Sequence, residues 1–338
     1  MSATSTIQST RRRFVTRASA LGVASLLGLP RRAAAEPPPE SRKLRLHETP
    51  AICLAPQYIA EELLRMEGFT QIEYVRIDEL GPRAMAAGRI DMGMWDVPGT
   101  IPALDEGQPI VVLAGVHAGC YELIADRSIN TIRDLKGRRL GIQSLGAGDH
   151  VFLSSILAYV GVNPTKDVVW IPASVQTGPQ GLFVDGKVDA ILGFVPVPQV
   201  LRRKGIGHVV VNTTTDRPWS QYFCCTISAN REFTQRYPVA TKRALRAILK
   251  AADICAREPE RVAQLLVQKG FEPDYDIALE VLKSLPYTRW RESNPEDTLR
   301  FHALRLHEVG MIKSTPQKLI AQGTDWRFLN ELKKELKA

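Results

Sequence analysis

The sequence predicts an α/β protein with mainly parallel sheets. Three observations carry that expectation. Short strand-like runs alternate with helix-like runs from residue 43 to residue 213, the pattern of strand–helix–strand units. After about residue 232 the strand signals stop and only helical patterns follow. The chain has 338 residues, 44% hydrophobic and 24% charged, the balance of a globular protein long enough for one large domain or two medium ones.

The elements follow in order. "KLRLHE" (43–48) is a strand, and "YIAEELLRMEGF" a helix with Ile59, Leu63, Leu64 and Phe69 on one face. "QIEYVRI" is an alternating strand, "GPRAMAAGRI" a short helix, "DMGMWDVPG" a strand ending in a turn, "TIPALDEGQ" a short helix and "PIVVLAGVHAG" a strongly apolar strand. "YELIADR" and "RRLGIQ" are strands around the short helix "TIRDLKG". "GDHVFLSSILAYVGV" is a helix that Gly161 ends. Strands "VVWIPA", "VDAILGF" and "HVVVNT" then alternate with helices "TGPQGLFVDGK" and "PVPQVLRRKG". The remainder reads as helices: "FTQRYPVATKRALRAILKAADICARE", "PERVAQLLVQKG", "DYDIALEVLKSL", "PEDTLRFHALRLHEVGM" and "TDWRFLNELKKELK", with starts at Asp274, Pro295 and Thr324–Asp325. This tail is expected to pack on a sheet rather than build its own core.

The net charge of +8 would suggest a nucleic-acid partner, but its location argues otherwise. Six arginines and no acidic residue fall in residues 1–35; removing them from 44 basic residues leaves 38 against 36 acidic ones. That segment reads as a twin-arginine export signal. "TRRRFV" is followed by the apolar "ALGVASLLGLP", too short for a spanning helix, and by a small-residue cleavage site in "RRAAAE" after Ala35. A periplasmic protein without a nucleic-acid partner is expected.

The motifs exclude several chemistries. "GIQSLGAGDHVFLSSIL" (141–157) runs from a strand through glycines into a helix, but no lysine follows its glycines, and Val151 stands where a dinucleotide fingerprint needs a third glycine. What remains is a helix start with free N–H groups, suited to a small anion or polar group. Asp149 is either its cap or a ligand contact. The six histidines show no metal-ligand spacing, and five cysteines without a CxxC read as buried structural thiols, so no metal or cofactor is expected. No GxSxG occurs. Asp91 and Asp96 read as an edge charge and a loop cap rather than an acid/base couple, so no catalytic residue is expected.

Loops at the carboxyl ends of successive strands carry Cys53, Gln57 and Tyr58; Trp95, Asp96 and Val97; His117, Gly119 and Cys120; 143–150; Gln176 and Thr177; and Phe194 and Pro196. Ligands of open parallel sheets bind at those ends, and this mixture of aromatics, amides and small residues suits recognition of a small polar solute more than catalysis.

With "APQYIAEELL", "GRIDMGMWDVPGTIPALDEGQPIVVLAG", "LKGRRLGIQSLGAGDHVFLSSILAYVGVNP" and "GLFVDGKVDAILGFVPVP" in this order, the chain resembles, from about residue 43 to 330, the periplasmic substrate-binding proteins of ABC importers. The branch is the one with nitrate, sulfonate, bicarbonate and thiamine-pyrimidine binders. The resemblance implies a two-lobed Venus-flytrap fold with two hinge crossings, near 120–123 and 213–218, and a helical C-terminal region. Lobe I would comprise 36–122 and 213–338, and lobe II 123–212. Cys53, Gln57, Tyr58, Trp95, Asp96 and Val97 would face the cleft from lobe I. Ser144, Gly146, Gly148 and His150 would face it from lobe II, with Phe194 and Pro196 nearby and His117 close to the hinge. The implied function is capture of a small polar organic or oxyanion solute and its delivery, by a monomer, to an inner-membrane ABC permease. An enzyme on the same scaffold, acting on a pyrimidine or small amide, is the alternative. The candidate loops carry almost no Arg or Lys, and Asp96 and Asp149 favour a ligand with N–H groups. The related pyrimidine-forming enzymes use a cluster of histidines and cysteines; Cys224–Cys225 matches this only in part, without neighbouring histidines in sequence.

Overall fold

A computed structural model describes residues 36–49, 51–77 and 81–337. The export signal expected over 1–35 lies outside the described residues.

The chain first builds β1 (Lys43–Glu48), α1 (Ala55–Ile59), α2 (Glu61–Met66), β2 (Gln71–Arg76), α3 (Gly81–Ala86), β3 (Met92–Asp96), α4 (Val97–Asp105) and β4 (Ile110–Ala118). It then passes straight into β5 (Tyr121–Ala125) of a second sheet. The second lobe continues with β6 (Arg139–Ile142), α5 (Gly148–Tyr159), β7 (Val169–Pro172), α6 (Gly178–Val184), β8 (Ala190–Phe194), α7 (Val197–Arg203) and β9 (His208–Asn212). The return leads to β10 (Phe223–Asn230), back in the first sheet.

The sheet orders are β2-β1-β3-β10-β4 and β7-β6-β8-β5-β9. Both are mixed: in each, four strands share one direction, as expected of mainly parallel sheets, and one runs against them. In each, the strand that enters from the other lobe runs against its neighbours: β10 pairs antiparallel with β3 and β4, and β5 antiparallel with β8 and β9. A chain that crosses without an intervening α-helix arrives reversed, because parallel neighbours need a long crossover connection. β10 escaped the sequence pattern because all eight of its residues are buried, yet Thr226, Ser228 and Asn230 interrupt the apolar run expected of a buried strand.

The two crossings are tied to each other. Thr213 N–H donates to Tyr121 O at 3.0 Å, Thr213 Oγ1 donates to the same oxygen at 2.7 Å, and Tyr121 N–H donates to Thr213 Oγ1 at 3.2 Å.

The C-terminal helices complete the first lobe: α8 (Arg231–Arg236), α9 (Pro238–Arg257), α10 (Pro259–Gln268), α11 (Tyr275–Ser284), α12 (Pro295–Glu308), α13 (Pro316–Gly323) and α14 (Arg327–Glu335). The run expected as one helix from Phe233 breaks at Tyr237, because Pro238 lacks an N–H and disfavours helical backbone before it. The start at Asp274 is as expected, its carboxylate accepting from Ile277 N–H. α13, capped by Thr315, is additional. α9 buries Ala244, Leu245, Ile248 and Ala252 in the same apolar cluster as Leu44, Leu46 and Met94 of the sheet. The tail therefore shares the sheet's core, each fully buried Leu or Ile contributing about 1.5–3 kcal/mol. The edge of β4 is closed by a bridge between Val112 and Thr324 and by Asp325 N–H donating to Val112 O.

A candidate ligand cleft between the lobes

The carboxyl ends of β1 and β3 and the loop after β6 meet around a cavity of about 290 Å³. From the first lobe, β1 delivers His47 and β3 delivers Trp95 and Asp96. The His47 and Trp95 rings stack, 4.8 Å between centroids and 18° between planes. Gly81 makes room for the indole: a Cβ there would stand 1.8 Å from Trp95 Nε1. Asp96 ends β3 and caps α4, its Oδ1 accepting from Gly99 N–H at 2.6 Å. One carboxylate oxygen is thus held and the other points toward the second lobe.

The second lobe answers mostly with backbone. The loop from Gln143 to Asp149 turns through Gly146 at φ 84° and opens into α5. Asp149 is not the N-cap residue, which is Ala147. Its carboxylate instead fastens the loop, Oδ2 accepting from Gln143 N–H at 2.7 Å and Oδ1 from His150 N–H at 2.9 Å, and it lines the cavity.

The lobes touch where α4 and α5 begin. A Cβ on Gly99 would stand 3.2 Å from Gly148 Cα, and one on Gly148 would stand 2.2 Å from Asp96 Oδ2. Asp96 of the first lobe therefore lies at the N-terminal, positive end of the second lobe's helix. α5 is consequently more than a one-faced helix. Val151 packs with Ile101 and Leu299 of the first lobe, the Phe152 and His302 rings meet at right angles with 5.1 Å between centroids, and Ser155 Oγ lies 3.0 Å from His302 Nδ1. Residues 149–157 are buried all round.

The cavity is acidic and aromatic. Among the described residues that line it there is no Lys or Arg. Burial raises the carboxyl of Asp96 above its ordinary value, against the opposing pull of the Gly99 N–H and the Tyr121 hydroxyl. Burial pushes Asp149 up to about 6, opposed by its two N–H donors and assisted by Asp96. Burial lowers His47 to about 4 although Glu48 pulls the other way, so the ring beside Trp95 is neutral at pH 7. Burial lifts the Cys53 thiol to about 12 and leaves no thiolate nucleophile there at neutral pH.

Of the residues singled out from sequence, Cys53, Trp95, Asp96, Cys120, Gln143, Gly146, Gly148, Asp149 and Phe194 line the cavity. Gln57 does not: it lies under the first lobe, donating to His47 O and accepting from Met94 N–H. Tyr58 stacks on Phe271 and bonds Thr49. Val97, the first residue of α4, sits in the core. Ser144 is exposed outside the cavity, its carbonyl accepting from Ala147 N–H. His150 accepts from Gly146 N–H through Nδ1 and meets Trp170 edge-on. Pro196 lies outside the lining, and His117 lies behind it. His47, Thr49, Tyr121 and Gln180 line the cavity without having been singled out. The first three sit at strand ends and could have been found from the end of β1 and the start of β5; Gln180, inside a helical run, carried no signal. Asp91, the supposed edge charge, pairs with Arg45 at 2.5 Å.

The described residues contain no helix long and apolar enough to cross a membrane. Against known families, the model described as NMT1/THI5 like matches residues 73–262, more than half of the chain. The chain belongs to the NMT1/THI5-like family. A curated relative, the 4-amino-5-hydroxymethyl-2-methylpyrimidine phosphate synthase of Candida albicans, is 22% identical over 226 residues, covering 61% of this chain. The matched part is 65% of that relative's length. Among solved structures, the periplasmic nitrate-binding protein NrtA of Synechocystis is similar with a TM-score of 0.75 at 15% identity, covering 89% of this chain and 90% of its own. The alkanesulfonate-binding protein SsuA of Xanthomonas axonopodis has a TM-score of 0.66 at 18% identity, covering 87% of this chain and all of its own. This NMT1/THI5-like chain therefore has the two-lobed periplasmic-binding-protein fold.

Proposed function

We propose that this protein is a periplasmic receptor that closes over a small, flat solute rich in N–H donors and hands it, as a monomer, to an inner-membrane ABC permease. In this reading residues 1–35 direct its twin-arginine export. The observation that carries the solute class is the pair Asp96 and Asp149, one from each lobe, in a cavity whose described lining holds no Lys or Arg. Two acceptor carboxylates favour amidinium, amino or ring N–H groups and repel oxyanions. The His47–Trp95 stack offers a planar aromatic face. A volume of about 290 Å³ is at the small end of ligand cavities. An unphosphorylated aminopyrimidine meets all three conditions and is consistent with the name of the Candida relative; a phosphorylated one would bring its charge against Asp96 and Asp149. Trp95, Asp96, Gly146, Gly148 and Phe194 remain the ligand residues of this reading, with Asp149, His47 and Tyr121 added.

The mechanism is a population shift: the open form binds through lobe I, and contacts made only when lobe II arrives hold the closed form. The second reading, an enzyme on this scaffold, draws on the name of the same relative. Against it stand the neutral thiol of Cys53 and the absence, among the described cavity residues, of a serine or lysine nucleophile. Native mass spectrometry of freshly purified protein tests both readings. A co-purifying aminated heteroaromatic, released unchanged, supports the receptor. A chemically altered compound, or a bound nitrate or sulfonate, overturns it.

A further inference from the structure

At the cavity floor the fold gathers residues that are remote in sequence: Cys53, Cys120 and Cys225 line the cavity and His117 lies behind it. Cys53 comes from the short turn of helix before α1, His117 from the end of β4, Cys120 from the first crossing and Cys225 from β10. All four are buried. The three sulfurs lie within 4.8 Å of one another, and none is in a disulfide. His117 and Cys225 are cross-strand partners in the β4–β10 ladder, and the imidazole interacts with the Cys225 and Cys53 thiols, although its nitrogens are not within 4.8 Å of all three sulfurs. Its Nε2 is buried without a hydrogen-bond partner, whereas Nδ1 lies 3.1 Å from Ala118 O. Donation from Nδ1 to that carbonyl leaves the Nε2 lone pair free, the arrangement by which a backbone oxygen orients a metal-binding imidazole. Tyr287 supports the group from outside, its ring edge-on to His117 and its hydroxyl donating to Cys53 O at 3.3 Å. Cys120 has a φ of 85°, rare for a residue with a Cβ, and such outliers persist where the surroundings require them.

We propose that Cys53, Cys120, Cys225 and His117 form a closed Cys3His site for one thiophilic d10 cation, Zn(II) in the first instance. Three thiolates and one imidazole are a complete tetrahedral donor set for such an ion. With metal–sulfur bonds of about 2.3 Å the sulfurs of such a site stand about 3.8 Å apart, so closing the present triangle asks for movements of about 1 Å or less. Sequence spacing could not reveal the site, because its ligands come from three separate segments rather than a CxxC. Its position gives it a role. The ion would join the outgoing crossing, the returning strand and the first lobe in one cross-link, setting the hinge and the floor of the solute cavity together.

The test uses the full mature chain, purified with reductant and stripped with chelator, its fold verified by circular dichroism. Zn(II) is titrated against a chromophoric competitor. One equivalent should bind and raise the melting temperature. Co(II) in its place should give the intense sulfur-to-metal charge-transfer bands and tetrahedral d–d bands of a thiolate site. Cys120→Ser, Cys225→Ser and His117→Gln should each weaken binding 100-fold or more, whereas Cys224→Ser and Cys255→Ser should leave it within twofold. Because a core variant can misfold, the wild-type stoichiometry and the Co(II) spectrum decide independently of the mutants. No stoichiometric binding by folded, reduced wild type would overturn the proposal. So would a Co(II) spectrum without sulfur charge transfer, or binding that survives in folded Cys225→Ser.

Discussion

The two walls of the cleft are built differently. The first-lobe wall is made of side chains fixed from behind: Trp95 stacked on His47 and seated against Gly81, and Asp96 held by the cap of α4. The second-lobe wall is largely backbone, a loop that turns at Gly146 and is fastened by the carboxylate of Asp149. Rigid, chemically distinctive groups on one side and a fitted loop on the other suggest a division of labour. In the proposed receptor the first lobe would select the solute, and the second would detect it by closing.

The strongest way to break this comparison is to remove selectivity from the first wall. Asp96→Asn keeps an acceptor for the α4 cap but removes the charge, and Trp95→Ala removes the planar face. Each is predicted to weaken solute binding by roughly 10- to 100-fold, as for loss of a charged hydrogen bond worth ~1.5–3 kcal/mol, with circular dichroism and melting little changed. Unaltered affinity in both, measured by calorimetry, would remove the first wall from the site.

Gly148→Ala addresses closure alone. Its Cβ would stand 2.2 Å from Asp96 Oδ2, a clash that exists only with the lobes together. The variant should bind about tenfold more weakly and keep its larger, open radius of gyration when solute is added. Full compaction with solute in X-ray scattering would show that the lobes do not close on this contact.

A pH series separates the two carboxylates' behaviour from packing. Asp149 is pushed up to about 6 by burial, with Asp96 adding to the shift. Below that pH it is protonated and neutral, so affinity for a cationic solute should climb as pH rises from 5 to 7 and level off above. Asp149→Asn should flatten the curve. A flat wild-type profile would mean that Asp149 does not meet the solute's charge.

The smallest effect is expected at the Ser155–His302 contact between α5 and α12. Ser155→Ala should weaken binding two- to tenfold, through a hydrogen bond worth ~0.5–1.5 kcal/mol. Burial lowers His302 to about 3. A ring held neutral in the folded, closed form gives its full contribution above the ordinary histidine value of about 6.5. That contribution is lost as pH falls from there toward 3, because the unfolded chain takes up the proton first. His302→Phe should reduce the acid sensitivity of melting in that window.

Much of the fold was legible because its local signals are strong. The alternating β2, the apolar β4 and the Gly161 stop of α5 follow simple periodic rules. β10 and the reversal of β5 were not, since β10 mixes buried polar with apolar residues and lacks the apolar run of a buried strand, and strand direction is set by the crossing, not by composition. The site was legible where it depends on strand ends, as at Trp95 and Asp96. It was illegible where tertiary packing decides which way a side chain faces. Gln57 and Tyr58 lie beside the right loop yet turn inward to bond His47 O and Thr49. The gathering of Cys53, His117, Cys120 and Cys225 had no sequence signal at all, because only the crossings bring those segments together.

The most direct test of the acidic, aromatic cleft is calorimetry at pH 7.5 with solutes matched for size: aminopyrimidines and amidines on one side, nitrate and short alkanesulfonates on the other. The account predicts binding of at least one N–H-rich solute at micromolar concentration or below, lost in Asp96→Asn, and no heat from the oxyanions. Saturable oxyanion binding that Asp96→Asn leaves intact or strengthens would contradict it.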